Sequence, residues 1–522
     1  MVMEKLNLIF ISIDTLRRDH LSCYGYRKNT TPNIDKMLAN KGVVFLEHFA
    51  PSNCTLPGYT TMFTGLHPIS HDIISHNNQW PLQEGVLMLA EILKKNRYNT
   101  AQVSTLITMS NKIEHLKRGF DKWEFDSVKY NKYLREDTLY QGGHSTPASR
   151  INAQALDYLE EYSKIYETTK QPFYLFIHYW DPHFPYQPPV EFEKFYDKPE
   201  HEKCNPNNKY LAQFFSCPSG KWILEFALKD KRYKNVTDPD YIESLYDGEI
   251  AYADHHIGIL LNRLKELGLE QNTIIVLTSD HGETMSETNN YIMGTRCMFS
   301  HVGLTEPNIS VPFIIRAPEI PKCQIKGMTQ HIDILPTLLE LLNLAKRNGK
   351  KLSFENLIPY YFDGVSLVPN ILGDRDFIPA SACELGINSD NPEDFESCNE
   401  RKALLLLEHT YQTYRAIRTK RFKFIKKVNG IIPNESMPNE ILYDLLKDPN
   451  EYMNLAYPMK NVCKIFNEII EKWVKKLCEK FKKTDPQIKY PTTLTIWNSY
   501  FEYDFINKNA NSKFLLEDVI EL

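Results

Sequence analysis

The sequence predicts an α/β fold: a central, largely parallel sheet between helical layers, with a small C-terminal α+β domain behind it. Three observations carry that expectation. Residues 6–13, 173–178 and 273–279 are continuous apolar runs rather than alternating ones, as strands covered on both faces require. Amphipathic helical patterns at 151–166 and 241–267 lie between and beside them. Beyond about residue 367 the pattern changes to short strands at 403–407, 416–419 and 422–426, then a Lys-rich helix near 462–481.

In chain order, the run 6–13 delivers Asp14 to the carboxyl end of a strand, where α/β sheets place their ligands. Residues 30–38 start a helix, and 43–45 lead back toward a loop at 53–55. A helix at 87–95 and a strand at 100–104 follow, and the polar, Tyr-rich stretch 129–149 is expected to loop over the site. The strand 173–178 feeds Tyr179-Trp180-Asp181-Pro182-His183, and 190–240 reads as an insertion that shapes substrate choice. The strand 273–279 ends at Asp280-His281-Gly282-Glu283; a strand at 311–316 and an apolar helix at 332–344 complete the larger unit. The division expected is a catalytic domain over 1–375, a sheet-plus-helix domain over 376–490 and a tail over 491–522.

At 522 residues and 42% hydrophobic, the chain can bury a large core. Its net charge of -5 comes from mixed acids and bases, so no basic field argues for a nucleic-acid module. The ten cysteines include no C-x-x-C pair and no dense framework. The N-terminal apolar run is too short for a secretory leader and ends in an acid, so it reads as a buried strand of a cytoplasmic protein. No run of about 20 apolar residues argues for a membrane span. The expected partner is a small-molecule ester, and assembly into a homo-oligomer stays open.

The organising stretch is 53–65, Asn-Cys-Thr-Leu-Pro-Gly-Tyr-Thr-Thr-Met-Phe-Thr-Gly. Thr55 reads as a helix N-cap, with Pro57 in the first turn where a missing N–H costs nothing. A hydroxyl there faces unpaired N–H groups and the positive end of the helix dipole, where a phosphate or sulfate group is held. Taken alone, a cap accounts for Thr55 as well as a nucleophile does. Asp14, Asp280 and His281, at the ends of two neighbouring strands, form a reasonable divalent-metal cage that the Thr55 oxygen completes. Mn or Zn is the favoured ion, with Ca or Mg also compatible, and one or two ions are expected.

Several strings in order resemble the sulfatases of the alkaline phosphatase superfamily, over residues 5 to 460. They are Ile13-Asp14-Thr15-Leu16-Arg17-Arg18-Asp19, Thr31-Pro32-Asn33-Ile34-Asp35, Asp181-Pro182-His183, Thr278-Ser279-Asp280-His281-Gly282-Glu283, and 442–451 from Leu442 to Glu451. The resemblance implies an alkaline-phosphatase-like three-layer sandwich. It makes Asp14, Asp280 and His281 metal ligands and His183 the acid that protonates the leaving group.

The departures bear on substrate. Counting from Pro57, the sulfatase Cys that matures to formylglycine falls on Thr55, with Cys54 one place early, and the Arg two places after the Pro falls on Tyr59. A Thr at that place looks like the phosphodiesterase branch of the superfamily, as does the run 65–74 from Gly65 to Ile74. Thr15 replaces a metal-binding Asp, Thr105 and Ile107 replace a Lys-x-His pair, and His301 replaces a sulfate-binding Lys. Asp181, His183, His301 and Tyr59 are then candidates for a second metal or for substrate binding. His48 and His178 are read as packing residues, and His71 as fixing the loop after the Thr55 helix. The expected function is hydrolysis of a phosphate or phosphonate mono- or diester, as in a phosphodiesterase or phosphonate monoester hydrolase, with Thr55, His183 and His301 catalytic. A sulfatase without formylglycine and a phospho-group transferase are the alternatives.

Overall fold

A computed structural model describes residues 5–76, 81–104, 114–124, 129, 146–205, 207, 211, 231–286, 291–292, 295–296, 298–348, 351–353, 362–373, 401–410, 413–428 and 438–490. Thr105, Ile107, most of 129–149 and the tail 491–522 lie outside the described residues.

The central sheet has eight strands. Seven are β1 (Asn7–Ile13), β2 (Val43–Phe49), β3 (Asn99–Val103), β4 (Phe173–Tyr179), β5 (Thr273–Thr278), β6 (Phe313–Arg316) and β7 (Cys323–Gln330). They lie in the order β7-β2-β6-β5-β1-β4-β3, and Ser310–Val311 pairs with β2 off that path. β1 runs parallel to both β4 and β5, β3 parallel to β4 and β7 parallel to β2, while β6 is antiparallel to its two neighbours. β1 is therefore flanked on both sides, which is why its sequence carries no polar alternation.

The pleat of β1 divides the core in two. Leu8 and Phe10 join Leu56, Tyr59, Met62 and Phe63 of α1 (Thr55–Thr64), Leu89 and Ile92 of α2 (Leu89–Lys95), and, further along the chain, Ile334 and Leu338 of a helix at Ile334–Leu341. Ile9, Ile11 and Ile13 face the other way, onto α3 (Ala148–Thr169) and α4 (Pro239–Glu266) through Ile151, Leu159, Ile250 and Leu260. The outcome is a three-layer sandwich. We label the helix Ile334–Leu341 α5.

The C-terminal sheet is antiparallel, with β8 (Ala403–Glu408), β9 (Tyr414–Thr419), β10 (Phe422–Lys427) and β11 (Glu440–Asp444) side by side. One face packs on α6 (Lys460–Lys480) through Leu405, Phe424, Phe466 and Ile470, with Ile69 and Ile74 joining them. The other face, through Leu404, Leu406 and Ala416, covers Phe49, Leu304 and Ile309 of the larger unit. Among the described residues, no helix is long and apolar enough to cross a membrane.

Two strands of the central and C-terminal sheets escape the sequence pattern. β7 reads Cys-Gln-Ile-Lys-Gly-Met-Thr-Gln, an edge strand whose exposed positions are polar and whose Gly sits at a break in register. β11 is five residues long and begins on an exposed Glu.

Candidate active site

β1 and β5 are neighbours in register, Ser12 opposite Thr278, so the residues just beyond them meet at one edge of the sheet. Asp14, Asp280 and His281 are fully buried there, and each offers a ligand atom within 4.8 Å of the others. Two backbone features hold them. Thr15 takes a left-handed conformation, φ 53°, uncommon for a β-branched residue, and its N–H donates to Asp280 Oδ1 at 3.2 Å. Gly58, in the first turns of α1, lies so close that a Cβ would fall 2.8 Å from the Asp280 carbonyl oxygen.

Thr55 is the first residue of α1, and the residue at the N-cap position is Cys54, with no side-chain cap. The Thr55 hydroxyl is thus not the expected cap. Its Oγ1 lies 3.2 Å from His281 Nε2. Cys54 is buried; its thiol hydrogen-bonds to Thr410, and burial pushes its pKa up to about 12.

The protons around His281 can be assigned from their partners. His281 Nδ1 is 2.9 Å from the Gly282 carbonyl oxygen, so it carries the hydrogen and Nε2 presents a lone pair. That lone pair faces Thr55 Oγ1 and, at 3.3 Å, Asp280 Oδ2. Asp280 Oδ2 and Asp14 Oδ1 are buried and, among the described residues, have no hydrogen-bond partner. Burial, then the Asp280 charge, raises the Asp14 carboxyl well above the usual range, while burial, then His301, holds His281 well below its ordinary value. Orphaned carboxylate oxygens beside an unprotonated imidazole are a donor set that a divalent cation satisfies, and the residues fit such an ion.

Two further imidazoles stand over this group. The His301 ring centroid is 4.5 Å from that of His281 and 5.5 Å from that of His183. His301 Nδ1 lies 3.7 Å from Glu283 Oε1; burial opposes its charged form, but Glu283, Asp14 and Asp280 outweigh burial and raise its pKa. His183 packs on Trp180 and donates Nδ1–H to the Phe184 carbonyl at 2.7 Å, so Nε2 is the nitrogen left to exchange a proton.

The structure does not gather every candidate. Asp181 hydrogen-bonds to Glu249, whose carboxyl is raised by burial and then by Asp181; Glu249 also accepts Gln187 N–H at 2.5 Å. Among the described residues, Asp14, Asp280 and His281 form the one group with metal-holding spacing, so Asp181, His183 and His301 do not make a second. Tyr59 lies in the core with its hydroxyl 2.9 Å from Ser12 Oγ and its ring edge-on to His178. His71 bridges as expected: Nδ1 accepts Ile73 N–H at 3.1 Å, leaving Nε2–H for Thr61 Oγ1 at 3.0 Å.

Four supporting residues lie behind the candidate ligands, and none is among the site residues expected from sequence. His178, opposite Ser12 in β4, places Nε2 3.2 Å from Asp14 Oδ2; burial lowers its pKa to about 4, so it donates as a neutral ring. His331 donates Nε2–H to the Asp280 carbonyl at 3.1 Å and accepts on Nδ1 from His48 Nε2 at 2.9 Å. Thr329 Oγ1 lies 2.8 Å from His48 Nδ1, so a directed chain of donors ends beneath Asp280. The signal available for His178 was its place near the end of an apolar strand; that it reaches Asp14 depends on the pairing with β1.

A family model described as Sulfatase matches residues 6–344. The chain is 27% identical over 506 residues to an ulvan-active sulfatase of Formosa agariphila, covering 93% of this chain and 84% of that protein. Among solved structures it is similar to a phosphonate monoester hydrolase of Agrobacterium radiobacter, with TM-score 0.62 and 22% identity over 91% of this chain and 96% of that one. It is similar too to a putative sulfatase, yidJ, of Bacteroides fragilis, with TM-score 0.63 and 20% identity over 93% and 98%.

Proposed function

The chain belongs to the sulfatase family of the alkaline phosphatase superfamily and is an ester hydrolase, and we propose that it cleaves phosphate or phosphonate esters with Thr55 as the attacking group. The observation that carries this reading is the Thr55 hydroxyl, 3.2 Å from an unprotonated His281 nitrogen beside orphaned carboxylate oxygens.

When bound by Asp14, Asp280 and His281, a divalent cation supplies the positive charge that lowers the Thr55 hydroxyl pKa and neutralises the oxyanion of the ester. Mn or Zn suits this mix of carboxylate and imidazole. The chain's own residues do the rest. The Thr55 oxygen forms a bond to phosphorus as the bond to the leaving oxygen breaks on the opposite side, and the hydroxyl proton passes to solvent. His183, anchored through Nδ1 on Phe184, gives its Nε2 proton to the leaving oxygen. The same nitrogen then takes a proton from the water whose oxygen bonds to phosphorus, and the Thr55 oxygen leaves and regains its proton from solvent. His301, whose pKa Glu283 raises against burial, holds a non-bridging oxygen where the family resemblance expects Lys.

Sulfate ester cleavage is the second reading, favoured by the similarity to an ulvan-active sulfatase. Metal-stripped protein reloaded with Mn, Zn, Mg or Ca, and offered an aryl sulfate, a phosphate monoester, a diester and a phosphonate, separates the two. Faster turnover of a phosphorus ester supports the first reading, and preference for the sulfate overturns it.

A further inference from the structure

The C-terminal sheet touches both loops that carry the candidate site. Leu407 of β8 donates its N–H to the Pro51 carbonyl at 3.0 Å and pairs with Ser52, three residues before Thr55. The second contact is ionic and buried. Lys423 of β10 has a fully buried side chain whose Nζ donates to the Leu304 carbonyl at 2.7 Å and to Glu306 Oε1 at 3.3 Å, and it pairs with Glu451. Arg418 of β9 meets Glu306 Oε2 at 3.1 Å with its guanidinium 4.4 Å over the Phe49 ring. Glu451 closes the ring by accepting Glu306 N–H at 2.7 Å.

A buried cluster of this kind adds little to stability over well-packed apolar residues, but losing one member leaves the others buried and uncompensated, which ties the two sheets together at this point. What it fixes is the segment that carries His301. That segment is tethered at each step: Ser300 exchanges two backbone bonds with Thr284, at 2.9 and 3.2 Å, and the His301 carbonyl accepts from Asn53 Nδ2 at 2.7 Å. The Val302 and Gly303 carbonyls accept from Asn308 at 2.7 and 3.0 Å. At Leu304 the tether comes from the other sheet.

We propose that Lys423 is a positioning residue: from the C-terminal sheet it holds segment 301–306, and so sets His301 over His281. Its effect on rate rests on the reading of the site as a Thr55-centred hydrolase, whereas its effect on the segment does not.

The experiment uses full-length, metal-loaded protein and a diaryl phosphate. Lys423→Met is expected to lower kcat by about tenfold or more with KM within about threefold, at a temperature where circular dichroism shows it folded. His301→Ala combined with Lys423→Met should be no slower than His301→Ala alone, the mark of one residue acting through the other. Backbone hydrogen exchange in 301–306 should speed up while β1 and β5 are unchanged. Losses that multiply, an unchanged kcat, or unchanged exchange in 301–306 each overturn the proposal. If the wild type cleaves no ester, the function reading fails and exchange alone decides this one. Should Lys423→Met not fold, Glu451→Gln, which keeps the size and removes the charge, takes its place in the same measurements.

Discussion

Thr55 Oγ1 and His281 Nε2 lie 3.2 Å apart, and the one hydrogen between them belongs to the threonine, because His281 spends its own on the Gly282 carbonyl. A divalent cation held by Asp14, Asp280 and His281 would supply the charge that readies the Thr55 hydroxyl for attack. Thr55→Ala should therefore bring turnover down to background, while thermal unfolding and the content of bound ion stay close to wild type. Thr55→Ser keeps the hydroxyl and should keep measurable turnover.

Asp14 and Asp280 crowd two buried carboxylates together, each with an oxygen that has no hydrogen-bond partner among the described residues. Stripping the ion should lower both activity and the unfolding temperature, because the ion binds the native state alone. Asp14→Asn should weaken ion binding by about tenfold or more, yet leave the stripped protein as stable as, or more stable than, stripped wild type, since it relieves the repulsion. Calorimetric scans of both proteins with and without ion read this out.

His178 holds Asp14 from behind at 3.2 Å, as partners of metal-ligating carboxylates do. His178→Leu should cost roughly 10–100-fold in ion affinity by titration calorimetry. His178→Gln, whose carboxamide can still donate, should recover part of that loss.

The His20–Asp247 pair predicts a pH dependence of stability. His20 Nδ1 lies 2.8 Å from Asp247 Oδ1, and Tyr26 and Lys28 each donate to Asp247 Oδ2 at 2.8 Å. Burial and Arg17 oppose the His20 cation, but Asp247 and Asp19 outweigh them and raise its pKa; burial opposes the Asp247 anion, but His20 and Lys28 hold its pKa down. A raised folded value means that the His20 contribution is complete below its unfolded pKa of about 6.5 and is lost as pH rises through the folded value. The Asp247 contribution is complete above about 4 and is lost as pH falls through its depressed value. Unfolding temperature should thus fall on the alkaline side in wild type and fall less in His20→Gln. Asp247→Ala, which strands the buried cations, should cost roughly 3–5 kcal/mol in denaturant titrations.

The sandwich was legible because β1, β4 and β5 are apolar without interruption, a pattern that buried parallel strands impose and few other elements do. Asp14, Asp280 and His281 were legible for a related reason, since they follow the carboxyl ends of two such strands. What sequence cannot carry is register. His178 supports Asp14 because it sits opposite Ser12, and His331 reaches the Asp280 carbonyl because β7 runs beside β2. Both facts depend on pairings between distant stretches of chain. Thr55 was misjudged by one position, from cap to first helical residue, and that single step turns its hydroxyl from the helix to His281.

The most direct test of the account is a single turnover of a diaryl phosphate by metal-loaded protein, acid-quenched and mapped by peptide mass spectrometry. The account predicts phosphorylated Thr55 in the wild type and none in Thr55→Ala. Release of the aryl product with residue 55 unmodified throughout, and at an equal rate from Thr55→Ala, would contradict it.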